Sequence, residues 1–311
     1  MQLSDRSILP PLLFTTNLRP AEDSEMFRVA IAVGAFVAAG AVCAPAAQSA
    51  VLAMVLVGLA ARTQQYYDRF ISIICTETVV QQDLRFNLAP TGKPRVTVYE
   101  LSVSRDPRAG DDNDFRVERA LQTVNGRRAR KGQEPGCTDP KTGTPEPLGF
   151  LLSANQRQFR FALADAAAAT GPPGTLAIDF VQTPPDRVTV RWTRDCFEAS
   201  GGGQTGRVWF DPLTFDVLQV EVRLASPYVV PLPAGHFGLQ PTIRVERSEA
   251  TFRFRRVSFA QPDETVLLPE SIDTLNTFRG ARSQRTSQTL SNFRRFLAES
   301  SIRTSAFQVD R

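Results

Sequence analysis

The sequence predicts a mainly β protein with some α structure (α+β), in which a long helix precedes one large antiparallel sheet. Apolar residues follow a helical period from Leu52 to Ile73, and beyond that point they alternate with polar residues in one segment after another. Such alternation is typical of antiparallel strands with one face against a core and the other in water. We count about ten such segments, and a sheet of that size must curl or close on itself.

The first element is an amphipathic helix. Its apolar positions are Leu52, Val55, Leu56, Leu59, Tyr66, Phe70 and Ile73. Charged and amide side chains, such as Arg62, Gln65 and Asp68, occupy other positions around the same turns. The spacing predicts one helix over residues 51–74 that runs directly into a strand beginning at Cys75. A second, short helix is expected over residues 147–156, where several apolar side chains cluster.

The remaining chain is divided into strands by turn-forming residues. Alternating segments cover residues 96–103, 115–121, 159–163, 176–180, 188–192, 208–210, 218–224, 243–259, 266–268 and 283–296. The pair Arg255-Arg256 breaks the alternation and predicts a β-bulge. Residues 125–148 and 226–241 are expected to be long loops because they are rich in Pro, Gly and polar residues. We therefore expect a single domain over residues 51–300, with a polar tail at 301–311.

Composition excludes several classes of site. The chain has 36 Lys and Arg against 32 Asp and Glu, a net charge of +4, and a single histidine. Zinc and iron sites built from clustered imidazole and thiolate ligands need more such ligands than this chain offers. The positive residues are interspersed with acids instead of forming the concentrated patch that nucleic acids require. We expect no metal, no cofactor and no nucleic-acid partner.

The N-terminal region has the order of a secretory signal. Arg28 is followed by an apolar run over residues 29–42, then by Pro45 and by the small residues that precede Ala50. This predicts a signal peptide over residues 26–50, cleaved near Ser49, and a periplasmic or secreted protein. Residues 1–25 have no targeting pattern and are interpreted as a non-native extension ahead of an initiator at Met26. A retained membrane anchor stays open as an alternative, because residues 51–61 are apolar again.

Export would permit a disulfide bond in the mature chain, which keeps Cys75, Cys137 and Cys196. Three cysteines allow three different single bridges. Cys137 lies in a loop-like segment and Cys196 follows a strand, so we expect these two to pair. Cys75, beside the helix-to-strand junction, is expected to be a buried free thiol.

Four segments, taken in order, carry a resemblance to a known family. They are Tyr66-Tyr67-Asp68-Arg69-Phe70 leading into Cys75-Thr76-Glu77, Gly206-Arg207-Val208-Trp209-Phe210-Asp211-Pro212 turning into the strand at 217–222, Leu267-Leu268-Pro269-Glu270-Ser271, and Ser291-Asn292-Phe293-Arg294-Arg295-Phe296. The chain resembles the outer-membrane lipoprotein carrier (LolA/LolB-like) superfamily over most of residues 51–297. The resemblance implies a curved antiparallel half-barrel whose concave apolar face is covered by helices and accepts an acyl chain or another hydrophobic partner.

Two functional hypotheses follow from this resemblance. In the first, an exported monomer binds a hydrophobic ligand or an acylated protein, with the helix acting as a lid through Leu52, Val55, Leu56, Leu59 and Phe70. In the second, an envelope interaction or sensing module uses the same sheet as a docking surface, and contact with a membrane surface belongs to either case. An open cavity under the helix would favour the carrier. A filled interior beside an exposed apolar patch or a basic rim would favour the module.

No catalytic group emerges from the sequence. His236 has neither a nucleophile nor an orienting acid near it in sequence, and nothing orients Glu77 and Glu100 as a carboxylate pair. The glycine-rich segment 201–206 lacks the Lys-Ser/Thr and the helix of a phosphate loop, so we interpret it as a hairpin connection. The arginines at positions 279, 282, 285, 294 and 295 are interpreted as a solvated face of edge strands. We do not expect an enzyme.

Overall fold

The computed structural model describes residues 45–70, 72–105, 115–130, 147–165, 171–183, 188–193, 196–200, 202–231 and 242–295. The helices are α1 (Pro45–Phe70), a 3-10 helix (Leu148–Leu151) and α2 (Ser153–Gln156). The strands are β1 (Ile73–Leu84), β2 (Pro90–Arg105), β3 (Phe115–Val124), β4 (Arg127–Arg128), β5 (Phe159–Leu163), β6 (Leu176–Gln182), β7 (Thr189–Thr193), β8 (Cys196–Ser200), β9 (Gln204–Phe210), β10 (Val217–Leu224), β11 (Tyr228–Pro231), β12 (Thr242–Ala260), β13 (Asp263–Arg279) and β14 (Ser283–Arg295).

Twelve of these strands form one antiparallel sheet, and its order places the first long strand beside the last. The order is β4-β3-β2-β1-β14-β13-β12-β10-β9-β6-β5, with β11 paired to β12. The sheet is an open, curved half-barrel with β4 and β5 at its edges, and the predicted α+β fold class is confirmed. The strand number was underestimated, because the short strands β4, β8 and β11 lie within segments that looked like loops or connections. Strands β7 and β8 form a separate two-stranded sheet.

Helix α1 lies over the inner, concave face of the half-barrel and contacts the 3-10 helix, β5 and β13. It ends at Phe70 instead of near residue 74, and Ser72 adopts a positive φ of 67° at the turn into β1. Ile73, predicted as the last apolar position of the helix, is the first inward residue of β1, because from there burial alternates with period two. The tight turn allows the chain to fold back, so α1 covers the sheet that it precedes.

The core under α1 is rich in phenylalanine. Phe150, on the 3-10 helix, lies 4.4 Å from Phe180 and 5.4 Å from Phe159, measured between ring centroids. At the other end of the helix, Tyr66 stacks on Phe70 and meets the edge of Phe254. Rings at these separations are in direct contact and fill the space between helix and sheet. The predicted short helix is therefore present as the 3-10 helix and α2, and its role is to pack the interior.

The hairpin between β9 and β10 forms one side of the cleft described below. Asp211 accepts hydrogen bonds from the backbone N–H groups of Leu213 and Thr214, at 2.8 and 3.1 Å, and so holds the turn. The next residue, Phe215, presses its ring against α1 at Gly58, where an added Cβ would lie 2.7 Å from the ring. The hairpin and the helix are in close contact at this point, and a larger residue at position 58 would require the Phe215 ring to move.

Candidate functional site

The candidate site is a cleft between the second half of α1, the β9–β10 hairpin and β13. Its lining is mixed, with cationic and polar side chains on the helix and apolar side chains opposite. The lining residues are Arg62, Thr63, Gln65, Tyr66, Arg69, Leu148, Phe215, Asp216, Val217, Val266 and Leu267. The cleft has a cavity volume of about 20 Å³, which is room for about one water molecule. It can receive a small group at the surface but no acyl chain.

The helix provides a hydroxyl and two guanidinium groups to this cleft. The Thr63 side chain is buried, and its Oγ1 has no hydrogen-bond partner among the described residues. Arg62 donates to Gln65 Oε1 at 2.9 Å and is ion-paired to Asp216 at 2.5 Å. Arg69 is exposed, one turn further along the helix. The exposed guanidinium of Arg69 is suited to bind an anion.

The hairpin wall is organised by one buried carboxylate. Asp216 accepts from Arg62 and also from Arg256, whose Nε donates at 2.9 Å. The hydrogen bond to Asp216 raises the pKa of Arg256 above its ordinary value, and the nearby Asp211 adds to this rise. The pKa of Asp211 is lowered, first by the hydrogen bonds from the turn N–H groups. With both guanidinium groups directed to it, Asp216 fixes α1 against the sheet.

The structure places all five predicted lid residues on the side of α1 that faces the core. Leu59 and Phe70 are fully buried, Val55 is buried, and Leu52 and Leu56 are half-buried against the same core. They lie on the inner face and not in the cleft, where Arg62, Thr63 and Arg69 lie instead. The helical spacing therefore found the buried stripe of α1. A ligand-binding role for these five residues stays a prediction.

A second inward feature is a buried ion pair between β1 and β3. Arg119 donates to Glu77 twice, from Nε to Oε2 at 2.6 Å and from Nη2 to Oε1 at 3.3 Å. The side chains are 2% and 0% exposed, respectively. Glu100 stands opposite Thr76, one residue along from Glu77, and is exposed. Because alternate residues of a strand face opposite sides, Glu77 and Glu100 form no carboxylate pair.

Cys75 lies one inward position before Glu77 on β1. It is a free cysteine, as expected, and its side chain is buried. Burial raises the pKa of its thiol to about 12, and the neighbouring Glu77 carboxylate adds to this rise. The thiol is therefore protonated at neutral pH and chemically unreactive in the folded state.

The last strands carry polar side chains inward, which the sequence analysis did not anticipate. Gln284, Asn276 and Ser248 stand opposite one another on β14, β13 and β12, and all three are buried. Ser248 and Asn276 are joined by a hydrogen bond of 2.6 Å. Strand β14 is therefore not a solvated polar strand, because its glutamines face the interior. The alternation itself was visible, but amide side chains gave no sign of which face is buried.

The five arginines were expected on a solvated face of edge strands, but β13 and β14 have neighbours on both sides, so the edge assignment is wrong. These arginines are mostly paired within the chain. Arg279 pairs with Glu246, Arg282 with Asp83, Arg294 with Glu100 and Arg295 with Glu264, at 2.7 to 3.8 Å. Arg295 is largely covered, while Arg285 is exposed. Pairing leaves little excess positive charge on this face, so it does not provide a basic patch.

Several predictions concern residues outside the described ranges. His236, Cys137, residues 1–44 and the tail at 301–311 belong to this group, as does the side chain of Cys196. Cys196 itself opens β8 and pairs with Thr193 of β7. Among the described residues, no group of histidine, cysteine and acidic side chains could hold a metal ion. No described helix combines the length and apolarity needed to cross a bilayer.

Comparisons with known proteins give a distant likeness in fold. No protein-family model matches the chain, and no curated protein matches it. A LolA superfamily protein from Nitrosomonas europaea aligns over 78% of this chain and 94% of its own, at 9% identity and a TM-score of 0.29. A chain of the Pseudomonas aeruginosa MucA/MucB complex aligns over 77% and 99%, at 10% identity and a TM-score of 0.21. The relationship is weak and lies at the level of the fold.

Proposed function

We propose that this protein is a non-catalytic interaction module of the cell envelope, in which the half-barrel is a filled scaffold and the partner docks at the cleft beside α1. The observation that carries the proposal is the packing under the helix. Leu59, Phe70 and the ring cluster around Phe150 occupy the concave face, and the cleft holds only about 20 Å³. A filled interior beside a polar and apolar rim is the arrangement expected for docking, not for storage of a ligand.

The cleft favours a partner that presents a small apolar group next to an anion. Val266 and Leu267 line its apolar side, and Arg69 offers an exposed guanidinium at the rim. The partner's chemistry is therefore an aliphatic side chain beside a carboxylate, such as an acidic or C-terminal peptide segment.

Carriage of an acyl chain, the other function considered, would require α1 to leave the sheet. Four large side chains, Leu59, Tyr66, Tyr67 and Phe70, would then lose their burial. At about 1.5–3 kcal/mol each, the loss amounts to roughly 6–12 kcal/mol. An acyl chain regains about 0.8 kcal/mol for each buried CH₂ group. A ligand would thus have to replace nearly all contacts of the helix. Without a ligand, the state in which α1 covers the sheet is therefore the stable one.

The first experiment distinguishes the proposed interaction module from a carrier of acyl chains. The full chain is produced in a Gram-negative host, purified without detergent from the periplasm and measured by native mass spectrometry, which also reports its N-terminus. We expect a mature chain beginning near residue 50, without bound lipid and without uptake of a fluorescent fatty acid. Co-purified acyl lipid, or stoichiometric uptake of the probe, would refute the module and support the carrier. A chain that is not exported would refute the envelope location.

The second experiment tests the cleft with a minimal ligand. N-acetyl-leucine carries an aliphatic group and a carboxylate, and N-acetyl-leucinamide is its neutral control. In a titration followed by NMR, we expect shifts of backbone signals at residues 62–69 and 211–217 with the acid and smaller shifts with the amide. Arg69→Gln should remove the difference, while Arg285→Gln, an exposed arginine of β14, should retain it. Equal responses to acid and amide, or shifts elsewhere, would contradict the assignment of the cleft.

A further inference from the structure

The first four turns of α1 have an unusual surface. Residues 29–61 contain no charged side chain, and within α1 every residue from Val51 to Ala61 is apolar or glycine. One side packs on the core, yet Val51, Met54 and Val57 are 44%, 66% and 70% exposed. We call these three residues the α1 stripe. They recur every third residue and therefore share one side of the helix. A helix that is apolar all round is normally buried in protein or in lipid.

One further feature lies close to the α1 stripe. Gln156 donates from Nε2 to the Leu56 carbonyl at 3.0 Å and so holds α2 against the same turns of α1. The next residue, Arg157, is exposed.

We propose that the α1 stripe rests on the surface of a lipid bilayer that contains anionic lipids. Apolar side chains on one side of a helix enter the boundary between headgroups and acyl chains, and flanking arginines attract anionic headgroups. Arg157 supplies that charge beside the stripe. The cleft at Arg69 lies on the second half of α1, so it stays accessible to a partner. This surface is independent of the proposed docking function.

The test measures the polarity around the α1 stripe itself. Vesicle binding of the whole chain is not sufficient, because it could arise from residues 29–42. Tryptophan is introduced in the full chain as Met54→Trp, with Phe86→Trp as control, because Phe86 is 98% exposed and lies between β1 and β2. Fluorescence is measured with vesicles of phosphatidylethanolamine and phosphatidylglycerol (3:1) that carry a nitroxide-labelled lipid. The signal of the unsubstituted chain is subtracted to remove the two native tryptophans.

We expect the emission of Met54→Trp to shift to the blue and to be quenched by the nitroxide lipid, while Phe86→Trp is unaffected. The effect should weaken in phosphatidylcholine vesicles and in Arg157→Gln. Separately, Met54→Glu should lower vesicle partitioning at least about tenfold, because a carboxylate would enter the apolar boundary. Leu213→Glu, on the β9–β10 hairpin, is its exposed control and should bind as the unsubstituted chain does. An unchanged melting temperature verifies that each variant is folded.

Three results would overturn the proposal. Absence of vesicle binding is the first. The second is vesicle binding in which the emission of Met54→Trp stays at the wavelength of a water-exposed tryptophan, as in Phe86→Trp. The contact with the vesicle would then be made elsewhere on the chain. The third is a blue shift of Met54→Trp without vesicles that grows with protein concentration, since the stripe would then be covered by a second copy of the chain.

Discussion

Replacing Arg119 with methionine should destabilise the fold more than any single loss of surface charge. The substitution keeps a long apolar side chain but leaves the Glu77 carboxylate, which is fully buried, without its counter-charge. Both hydrogen bonds of the pair are lost, at 2.6 and 3.3 Å. Removing one partner of a buried ion pair costs about 3–5 kcal/mol, because the remaining charge stays in a medium of low polarisability. We expect a loss in that range.

The assay is urea unfolding followed by circular dichroism. With a slope of about 1–3 kcal/mol/M, the expected loss lowers the midpoint by at least about 1 M. The matched control is Arg294→Met, whose partner Glu100 lies at 2.9 Å and whose pair is 64% and 51% exposed. That loss should stay below about 1 kcal/mol. The double variant Arg119→Met/Glu77→Leu should recover much of the stability, since no buried charge remains.

Two outcomes would refute this reasoning. If Arg119→Met costs no more than Arg294→Met, water reaches Glu77 and the inner face is not closed at β1 and β3. If the double variant is as unstable as the sum of its single variants, the two side chains do not interact in the folded protein.

The remaining predictions concern the core, the helix contact and the cleft. Cys75 should resist alkylation at pH 8 until the protein unfolds, as peptide mapping would show, because its thiol pKa is about 12. Since a raised pKa favours the neutral thiol, its contribution to stability is full below the ordinary value of 9.0 and is lost as the pH rises towards 12. Gly58→Ala should destabilise the fold by about 1–3 kcal/mol because the added methyl group clashes with Phe215, even though alanine is the better helix former. Adding Phe215→Ala in a double variant should relieve part of that loss. Asp216→Asn should cost about 1–3 kcal/mol and speed amide exchange in the second half of α1, whereas the more exposed Asp179→Asn should cost less than about 1 kcal/mol; equal effects would contradict the anchoring role of Asp216.

The secondary-structure elements could be predicted from the sequence more fully than the candidate site. The five lid positions of α1 were identified from period alone, because a helix that packs on a sheet must place its apolar side chains three and four residues apart. Arg119 was missed, since an arginine in an alternating strand is ordinarily on the wet face. Arg119 of β3 stands opposite Leu101 of β2, which stands opposite Cys75 of β1, two residues before Glu77. Only this register shows that the two charges meet. The inward glutamines of β14 were missed for the same reason.

The cleft could not be predicted from the sequence either. Arg62 and Asp216 are separated by more than 150 positions, and their contact depends on how α1 crosses the β9–β10 hairpin. The close approach at Gly58 could not be read from the chain either, because a single glycine in a helix has no unique meaning. These contacts arise from packing between distant elements, which no local pattern encodes.

The sequence by itself determined that a helix precedes a large antiparallel sheet, which side of that helix is buried, and that Cys75 is a buried thiol. The elements and the buried side of the helix follow from local periodicity, since burial repeats every two residues in a strand and about every 3.6 in a helix. The prediction for Cys75 rests on its place at the helix-to-strand junction. Only the tertiary structure decided that Leu59, Phe70 and the ring cluster around Phe150 pack between α1 and the sheet, that Glu77 and Arg119 neutralise each other on the inner face, and that the α1 stripe stays exposed. These properties depend on strand register and on the position of α1 across the sheet, and both are set by contacts between residues far apart in the chain.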